Sequence, residues 1–232
     1  MATSIGPNAF HNCSGLTSVS LPAVTTIGSY TFCNCSNLTS VSLPAVTTIG
    51  SYAFCNCYSL ATVNLPVATS IYGSTFSKCY NLKSLYLLSS SICNLSHSNA
   101  FTSTPIGGYS TSAGTYGSIY VPYSLLTSYK TATNWTYFSS RFVGLNENGN
   151  PIIIFTIDGT QYQAEAGMTW GEWLESDYNI DEYFLSPGNL IHQYGTTYDV
   201  TLDNGIFVVT SDTIISNHTY GLRYIGSGGS AD

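Results

Sequence analysis

The chain has 232 residues, of which 44% are hydrophobic and only 7% charged, and its net charge is −7. Charged residues normally make up about 25% of a soluble domain. With no clustered Lys or Arg, the composition excludes recognition of a nucleic-acid backbone, and the lack of any long apolar run excludes a membrane-spanning helix. The charge is also split along the chain. Residues 1–146 carry Lys78, Lys83, Lys130 and Arg141 and no acid, whereas all 12 acids follow from Glu147 onward, joined by Arg223, giving +4 against −11. A domain boundary is expected near Leu145–Pro151.

The first hundred residues repeat with a period of 22. Ile5, Ile27, Ile49 and Ile71 align, as do Phe10, Phe32, Phe54 and Phe76, and Cys13, Cys35, Cys57 and Cys79. Leu16, Leu38, Leu60 and Leu82 form the next column, followed by Val19, Val41, Val63 and Leu85, then Leu21, Leu43, Leu65 and Leu87, with Pro22, Pro44 and Pro66 closing three copies. The run Leu38-x-x-Val41-x-Leu43 has the spacing of a leucine-rich-repeat strand, with Val41 and Leu43 on one side of it. Each apolar side chain contributes roughly 1.5–3 kcal/mol on burial, while ordering the backbone costs about 1–2 kcal/mol per residue. A lone copy therefore does not fold, and the copies must stack into a solenoid.

The pattern I-G-x-x-A-F-x-x-C-x-x-L-x-x-V-x-L-P, seen at Ile49–Pro66, resembles the BspA-type leucine-rich repeat. The resemblance covers about residues 5–88. It implies a bacterial surface or secreted protein engaged in adhesion and interaction. The N-terminus lacks the basic start and apolar stretch of a secretory signal, and the chain opens inside a repeat at Ile5. The expectation is either an upstream region or release by lysis.

A fifth copy is expected at Asn99-Ala-Phe101, which echoes Asn8-Ala-Phe10 after an insertion. The Gly/Ser/Thr-rich loop of residues 102–118 leads to a strand at Ile119-Tyr-Val-Pro122. A short helix over Tyr123–Thr133 follows, with Leu125, Leu126 and Tyr129 at helical spacing, and then Trp135, Phe138 and Phe142. This stretch reads as a cap over the last coil, whose apolar interior would otherwise meet water. The block from Tyr116-Gly-Ser-Ile-Tyr-Val-Pro122 through Ser139-Ser-Arg-Phe-Val143 resembles segments that end such repeats in proteins of gut Firmicutes and their prophages.

In the acidic part, Ile152–Ile157, Asp158-Gly159 and Thr160–Glu165 spell a hairpin around a two-residue turn. Thr169-Trp-Gly-Glu172 is a capping box that starts a helix to about Tyr178, with Trp170, Trp173 and Leu174 on its apolar face. Strands are expected near Leu190–Tyr194, Tyr198–Leu202, Ile206–Thr210 and Thr219–Ile225. The motifs Phe155-Thr-Ile-Asp-Gly159 and Gly167-Met-Thr-Trp-Gly171 resemble modules of prophage structural proteins. The expected fold class is therefore mixed α/β. Residues 1–100 form a short leucine-rich-repeat solenoid, 101–146 an insertion loop and C-terminal cap, 147–226 a small α+β, β-grasp-like domain, and 227–232 a flexible tail.

The cysteines of the repeating column read as a buried ladder of small side chains. Cys33 and Cys55 share another column, and adjacent coils about 4.8 Å apart lie near the lower limit for a disulfide between them. Each Cys-x-Cys pair is expected to alternate between the inside and outside of the coil, so no metal site is expected. The solvent-facing strand positions Ser18, Ser20, Ser40, Ser42, Thr62, Asn64, Ser84 and Tyr86 offer mostly small hydroxyls rather than the Trp, Tyr and Arg anchors of tight interfaces. Candidate ligand-binding residues are instead Tyr109, Tyr116, Tyr120, Tyr123, Trp135 and Tyr137, which can stack on sugars or anchor a partner. Asp177, Asp181 and Glu182 read as a solvated helix end rather than a calcium site.

His11, His97, His192 and His218 are scattered, and no H-E-x-x-H, G-x-S-x-G or G-x-x-x-x-G-K motif occurs. No enzyme activity and no cofactor are expected. The reading is a non-enzymatic structural or recognition module, extracellular on a virion or a bacterial surface, that contacts protein or cell-surface glycan or assembles with itself. A secreted adhesin and an accessory binding domain of a cell-wall-degrading enzyme are the alternatives.

Overall fold

The 22-residue period winds the chain into coils of short parallel strands. The computed structural model describes residues 2–108, 116–157 and 160–165, and beyond them the strands at 199–203, 206–210 and 223–224. The chain divides into two compact units, Met1–Glu147 and Asn148–Asp232.

In the first unit the strands are β1 (Ser4–Ile5), β2 (Ser18–Ser20), β3 (Thr26–Ile27), β4 (Ser40–Ser42), β5 (Thr48–Ile49), β6 (Thr62–Leu65), β7 (Ser70–Ile71), β8 (Ser84–Leu87), β9 (Asn94–Leu95), β10 (Ser118–Pro122) and β11 (Phe142–Leu145). β1, β3, β5, β7 and β9 pair in parallel, bringing Ile5, Ile27, Ile49, Ile71 and Leu95 into one register column. On the second side of the coil, β2 pairs with β4 through Val19 and Val41. There β6, β8, β10 and β11 also pair in order, aligning Val63, Leu85, Ile119 and Phe142. The fifth coil is present, because Phe101 stacks on Phe76 and β10 pairs with β8. Leu95 and β11 escape a 22-residue alignment because insertions stretch the spacing there.

Identical side chains one coil apart must meet, and the phenylalanines do so face to face. Phe10, Phe32, Phe54, Phe76 and Phe101 form a continuous stack with centroid separations of 5.2, 5.3, 5.7 and 5.6 Å. Each such pair adds about 0.5–1.5 kcal/mol beyond area burial. Around the stack, Ile27, Leu38, Ile49, Leu60, Val63 and Leu82 are fully buried. Cys35, Cys57 and Cys79 are buried as well, and each thiol donates to the carbonyl of a phenylalanine one coil back: Phe10 at 3.2 Å, Phe32 at 3.2 Å and Phe54 at 3.0 Å. The expected cysteine ladder thus holds for three of its four members, while Cys13, in the first coil, is exposed.

Turning a chain this tightly requires left-handed backbone. Two columns supply it: Asn8, Tyr30, Tyr52 and Ser74, and then Asn12, Asn34, Asn56, Lys78 and Ser103, all with φ between 56° and 63°. Asn tolerates this region and bonds locally there. In the second column Asn34 Nδ2 donates to Asn12 Oδ1 at 2.7 Å, and Asn56 Nδ2 donates to Asn34 Oδ1 at 2.6 Å. The ladder stops at Lys78, which leaves Asn56 Oδ1 buried without a hydrogen-bond partner. The coils approach closely at Gly28 and Gly50; at Gly50 a Cβ would lie 2.7 Å from the backbone nitrogen of Ser29 and 2.8 Å from the carbonyl carbon of Gly28.

The cap covers the fifth coil with α1 (Leu126–Thr131) and the 3₁₀ turns Tyr123–Leu125 and Trp135–Arg141. Phe138 meets Phe101 edge-on at 5.3 Å and Trp135 lies 6.0 Å from it, which ends the phenylalanine stack. The same cap satisfies the open edge of β9. Trp135 Nε1 donates to the Cys93 carbonyl at 2.7 Å, and the Cys93 N–H donates to the Tyr129 hydroxyl at 2.8 Å. Asn134, at φ 63°, donates to the carbonyls of Leu95 and Ser96 at 2.8 and 3.0 Å.

In the second unit β12 (Pro151–Ile157) and β13 (Thr160–Glu165) form the antiparallel hairpin expected from the sequence, closed at Ile157 and Thr160. Asn150 Nδ2 donates to Glu165 Oε2 at 2.8 Å across its open end. A three-stranded sheet follows, with β14 (Asp199–Asp203) antiparallel to β15 (Ile206–Thr210) and β16 (Arg223–Tyr224) parallel to β15. The helix expected from Thr169 to about Tyr178 and the strand near Leu190–Tyr194 lie outside the described residues.

Two substitutions test the coil geometry through the melting temperature. Lys78→Asn extends the asparagine ladder, gives Asn56 Oδ1 a donor and suits the left-handed backbone. It should stabilise by about 1 kcal/mol, a rise of about 2–4 °C. Gly50→Ala forces two coils apart and should cost about 1–3 kcal/mol, whereas Gly15→Ala, with nothing within 4 Å of the added carbon, should leave the melting temperature unchanged.

Candidate recognition surface

The exposed aromatic residues repeat as the core ones do. Tyr30 and Tyr52 occupy one column and stack at 4.8 Å, with His11 meeting Tyr30 edge-on at 6.5 Å. Tyr58 and Tyr80 occupy a second column and stack at 5.3 Å. On the outer face of the second sheet Tyr86 and Tyr120 stack at 4.4 Å, as the β8–β10 register dictates. Tyr30 and Tyr52 keep a left-handed backbone that bulky residues adopt at a cost of roughly 1–2 kcal/mol, and their stacking offsets a similar amount. The signal for these rungs lay in the sequence, because Tyr30/Tyr52 and Tyr58/Tyr80 fall at the repeat period. An alignment read for core columns alone passes over them.

Stacking decides what such a surface offers. Two parallel rings at van der Waals separation cover each other's inner faces, so a pair has less open ring face than two separate rings. Sugar stacking needs an open ring face, whereas a protein partner can use apolar edges flanked by phenol donors. Small hydroxyls complete the face: Ser18, Ser20, Ser40, Ser42, Thr62 and Asn64 are exposed as expected, and Ser84 and Tyr86 are half-buried.

The candidate residues chosen from sequence separate into distinct roles. Tyr137 on the cap is the most solvent-exposed of the large hydrophobic residues described, at 74%. Tyr116 is exposed and carries the Arg141 guanidinium over its ring at 3.8 Å, a cation–π contact that holds both side chains ready at low entropic cost. Tyr120 is half-buried in its pair with Tyr86, and Tyr123 is half-buried against the core. Trp135 corrects the expectation. It is 1% exposed, its ring is packed against Phe101, Tyr129, Phe138 and Phe142, and its nitrogen is committed to Cys93, so it serves the cap's core and not a ligand. Tyr109 lies outside the described residues.

The cysteines carry a second correction. Cys33 and Cys55 are buried rather than turned outward, and both are free thiols. Burial raises the Cys33 thiol, and burial together with its cysteine neighbours pushes Cys35 up to about 11 and Cys55 up to about 12. Burial alone pushes Cys93 up to about 12. Cys57 rises because the neighbouring Cys79 thiol opposes its ionisation, reinforced by burial. Tyr129 is pushed up to about 12, chiefly by burial in the cap. Among the described residues no group of three or more His, Cys, Asp or Glu could hold a metal ion, and no helix is long and apolar enough to cross a membrane.

This geometry of parallel rungs with an in-register aliphatic and phenylalanine core agrees with the family comparison. Residues 3–115 match the model for the BspA type leucine rich repeat region, in six copies. Among solved structures, a leucine-rich-repeat protein of T. pallidum is 27% identical, with 53% of each chain covered and a TM-score of 0.43. A leucine-rich-repeat protein from Bacteroides ovatus ATCC 8483 is 25% identical, with 61% of this chain and 35% of that one covered and a TM-score of 0.45. The chain thus spans about half the length of the first and about a third of the second. No curated protein matches. Repeat regions of this kind generally serve as protein-binding or surface modules.

Thiol chemistry checks the burial assignment. In dilute native protein at pH 8, Cys13 alone of the seven cysteines should react with an aromatic disulfide reagent, and all seven should react after denaturation. Because the folded-state values of the buried thiols are raised, their stabilising contribution is complete below the ordinary thiol range and is lost as pH climbs toward about 11–12. The melting temperature should therefore hold through neutrality and fall above about pH 9.

Proposed function

We propose that this chain is a non-enzymatic recognition and structural module that works outside the cell that makes it, on a phage virion or a bacterial surface, and that its repeat region contacts protein through exposed tyrosines. The reading is carried by one observation: the large exposed side chains of the first unit include Tyr30, Tyr52, Tyr58, Tyr80, Tyr116 and Tyr137, and Tyr116 is paired with Arg141. Tyr and Arg are the residue types that dominate binding energy at protein interfaces. Tyr116, Tyr120, Tyr123 and Tyr137, with Tyr109 beside them in sequence, form the proposed contact set, to which Tyr86 and Arg141 are added.

The resemblance of the cap and the acidic unit to prophage modules favours the virion over a secreted adhesin or an accessory domain of a wall-degrading enzyme. The second unit is proposed to be a β-grasp-like domain, since its hairpin precedes an expected helix and further strands. A protein partner is proposed over a glycan because the Arg141 guanidinium lies over the Tyr116 ring, on a face that a sugar would need.

Binding of labelled chain to intact gut bacteria and to epithelial cells tests the proposal. Tyr116→Ala combined with Tyr137→Ala should weaken binding about tenfold or more with an unchanged melting temperature. Protease treatment of the target cells should abolish the signal, and periodate oxidation of their sugars should not. Binding that survives protease and is lost to periodate would assign a glycan instead, and binding indifferent to both substitutions would refute the surface. Immunogold labelling of induced phage particles decides between virion and cell envelope.

A further inference from the structure

One junction in the coil stack is closed on one side and open on the other. Where coils one and two meet on the second sheet, the Thr39 N–H donates to the Thr17 carbonyl at 2.9 Å and the Leu21 N–H to the Ser42 carbonyl at 3.0 Å. Coils three and four are joined there in the same way, by the Lys83 N–H on the Ala61 carbonyl at 2.9 Å and by the pairing of β6 with β8. Between coils two and three the corresponding donors are Ala61 and Leu43. Among the described residues, Ala61 makes no such bond to Thr39 and Leu43 none to Asn64. β4 and β6 accordingly belong to separate sheets.

The other side of the same junction is complete. β3 pairs with β5 through Thr26–Thr48 and Ile27–Ile49, and the N–H groups of Tyr30, Phe32 and Asn34 donate to the carbonyls of Ser51, Ala53 and Cys55 at 3.0, 2.8 and 2.8 Å. The packing agrees with a wedge that opens toward β4 and β6. The rings of Phe32 and Phe54 are tilted by 14°, against 5°, 8° and 10° at the other steps of the phenylalanine stack. Val41 is half-buried although it has a coil on either side, whereas Val63 and Leu85 in its column are 0% exposed. Fraying from the outside does not account for the gap, since β2 and β4, which lie further out, remain paired.

We infer that this junction is a hinge: coils one and two move as a block against the coils that follow, turning about the β3–β5 ladder so that β4 and β6 part and approach. Backbone bonds on one side fix the axis, and on the other side side-chain packing holds the gap with little help from the backbone. Leu43 and Leu65 stay buried beneath it, so the swing is small. The outer face of the second sheet is thereby divided, with Ser18, Ser20, Ser40 and Ser42 on one half and Thr62, Asn64, Ser84 and Tyr86 on the other. A partner lying across both halves would set their angle, as in other hinge closures. The hinge is independent of the tyrosine contacts proposed above, and either can fail without the other.

Two measurements on the full chain test the hinge. In native-state hydrogen exchange, corrected for intrinsic rates, the amides of Leu43 and Ala61 should exchange at least about 100-fold faster than those of Asn34 and Lys83. Spin labels then read the motion. In a chain whose exposed thiol is removed by Cys13→Ser, labels are placed through Ser18→Cys with Ser40→Cys, Ser40→Cys with Thr62→Cys, or Thr62→Cys with Ser84→Cys, which are successive steps of one column. The middle pair should give a distinctly broader distribution of separations than the flanking pairs, whose strands are hydrogen-bonded. Protection of Leu43 and Ala61 equal to that of Lys83 in the unaltered chain overturns the hinge. Fast exchange with a middle pair as narrow as its neighbours overturns it too, because that combination describes a fixed gap.

Discussion

Everything in the first unit depends on equivalent side chains meeting one coil apart. A coil that carries Ile, Phe, Cys and Leu at the same places as its neighbour can bury them only by exact repetition of backbone path, and the phenylalanine stack enforces that path. Rings 5.2–5.7 Å apart tolerate little drift, so strands of two to four residues stay in register although each contributes few backbone bonds of its own. The thiol-to-carbonyl bonds and the asparagine and threonine ladders follow the same rule. Each is a side chain of one coil completing a polar group of another, as with Thr47 on Thr25 and Thr69 on Thr47.

Repetition also has a cost, which appears wherever it stops. A coil leaves half its hydrogen-bonding groups and one face of its core for a neighbour to complete. The cap meets that need with two aromatic residues whose apolar bodies cover Phe101 while their polar tips satisfy the N–H and the carbonyl of a single residue, Cys93. Lys78 shows a smaller failure, where one departure from asparagine strands a buried acceptor on Asn56.

The near absence of charge in this unit is consistent with how it is stabilised. With no carboxylate before Glu147, its fold uses apolar burial, backbone ladders and neutral side-chain bonds, and its titrating interior is made of thiols and one buried tyrosine. That chemistry is indifferent to mild acid and sensitive to alkali. Contacts made by a nearly uncharged surface lined with tyrosine hydroxyls depend little on ionic strength.

The sequence by itself determined the coil period, the identity of the core columns, the hairpin at Ile152–Glu165 and the existence of a cap. Each of these is written in local spacing, and stacking leaves such spacing one physical outcome. Which aromatic residues of the cap region face solvent and which face the core was settled only by the tertiary structure, since nothing in their local sequence separates Tyr116, Tyr120 and Tyr123 from Trp135. Trp135 went to the core because the last phenylalanine needed a cover and Cys93 needed a donor, two demands that arise 34 and 42 residues away. Cys33 and Cys55 likewise became buried thiols because the turn folds them under the coil, a consequence of the left-handed residues beside them that no strand alternation could foretell.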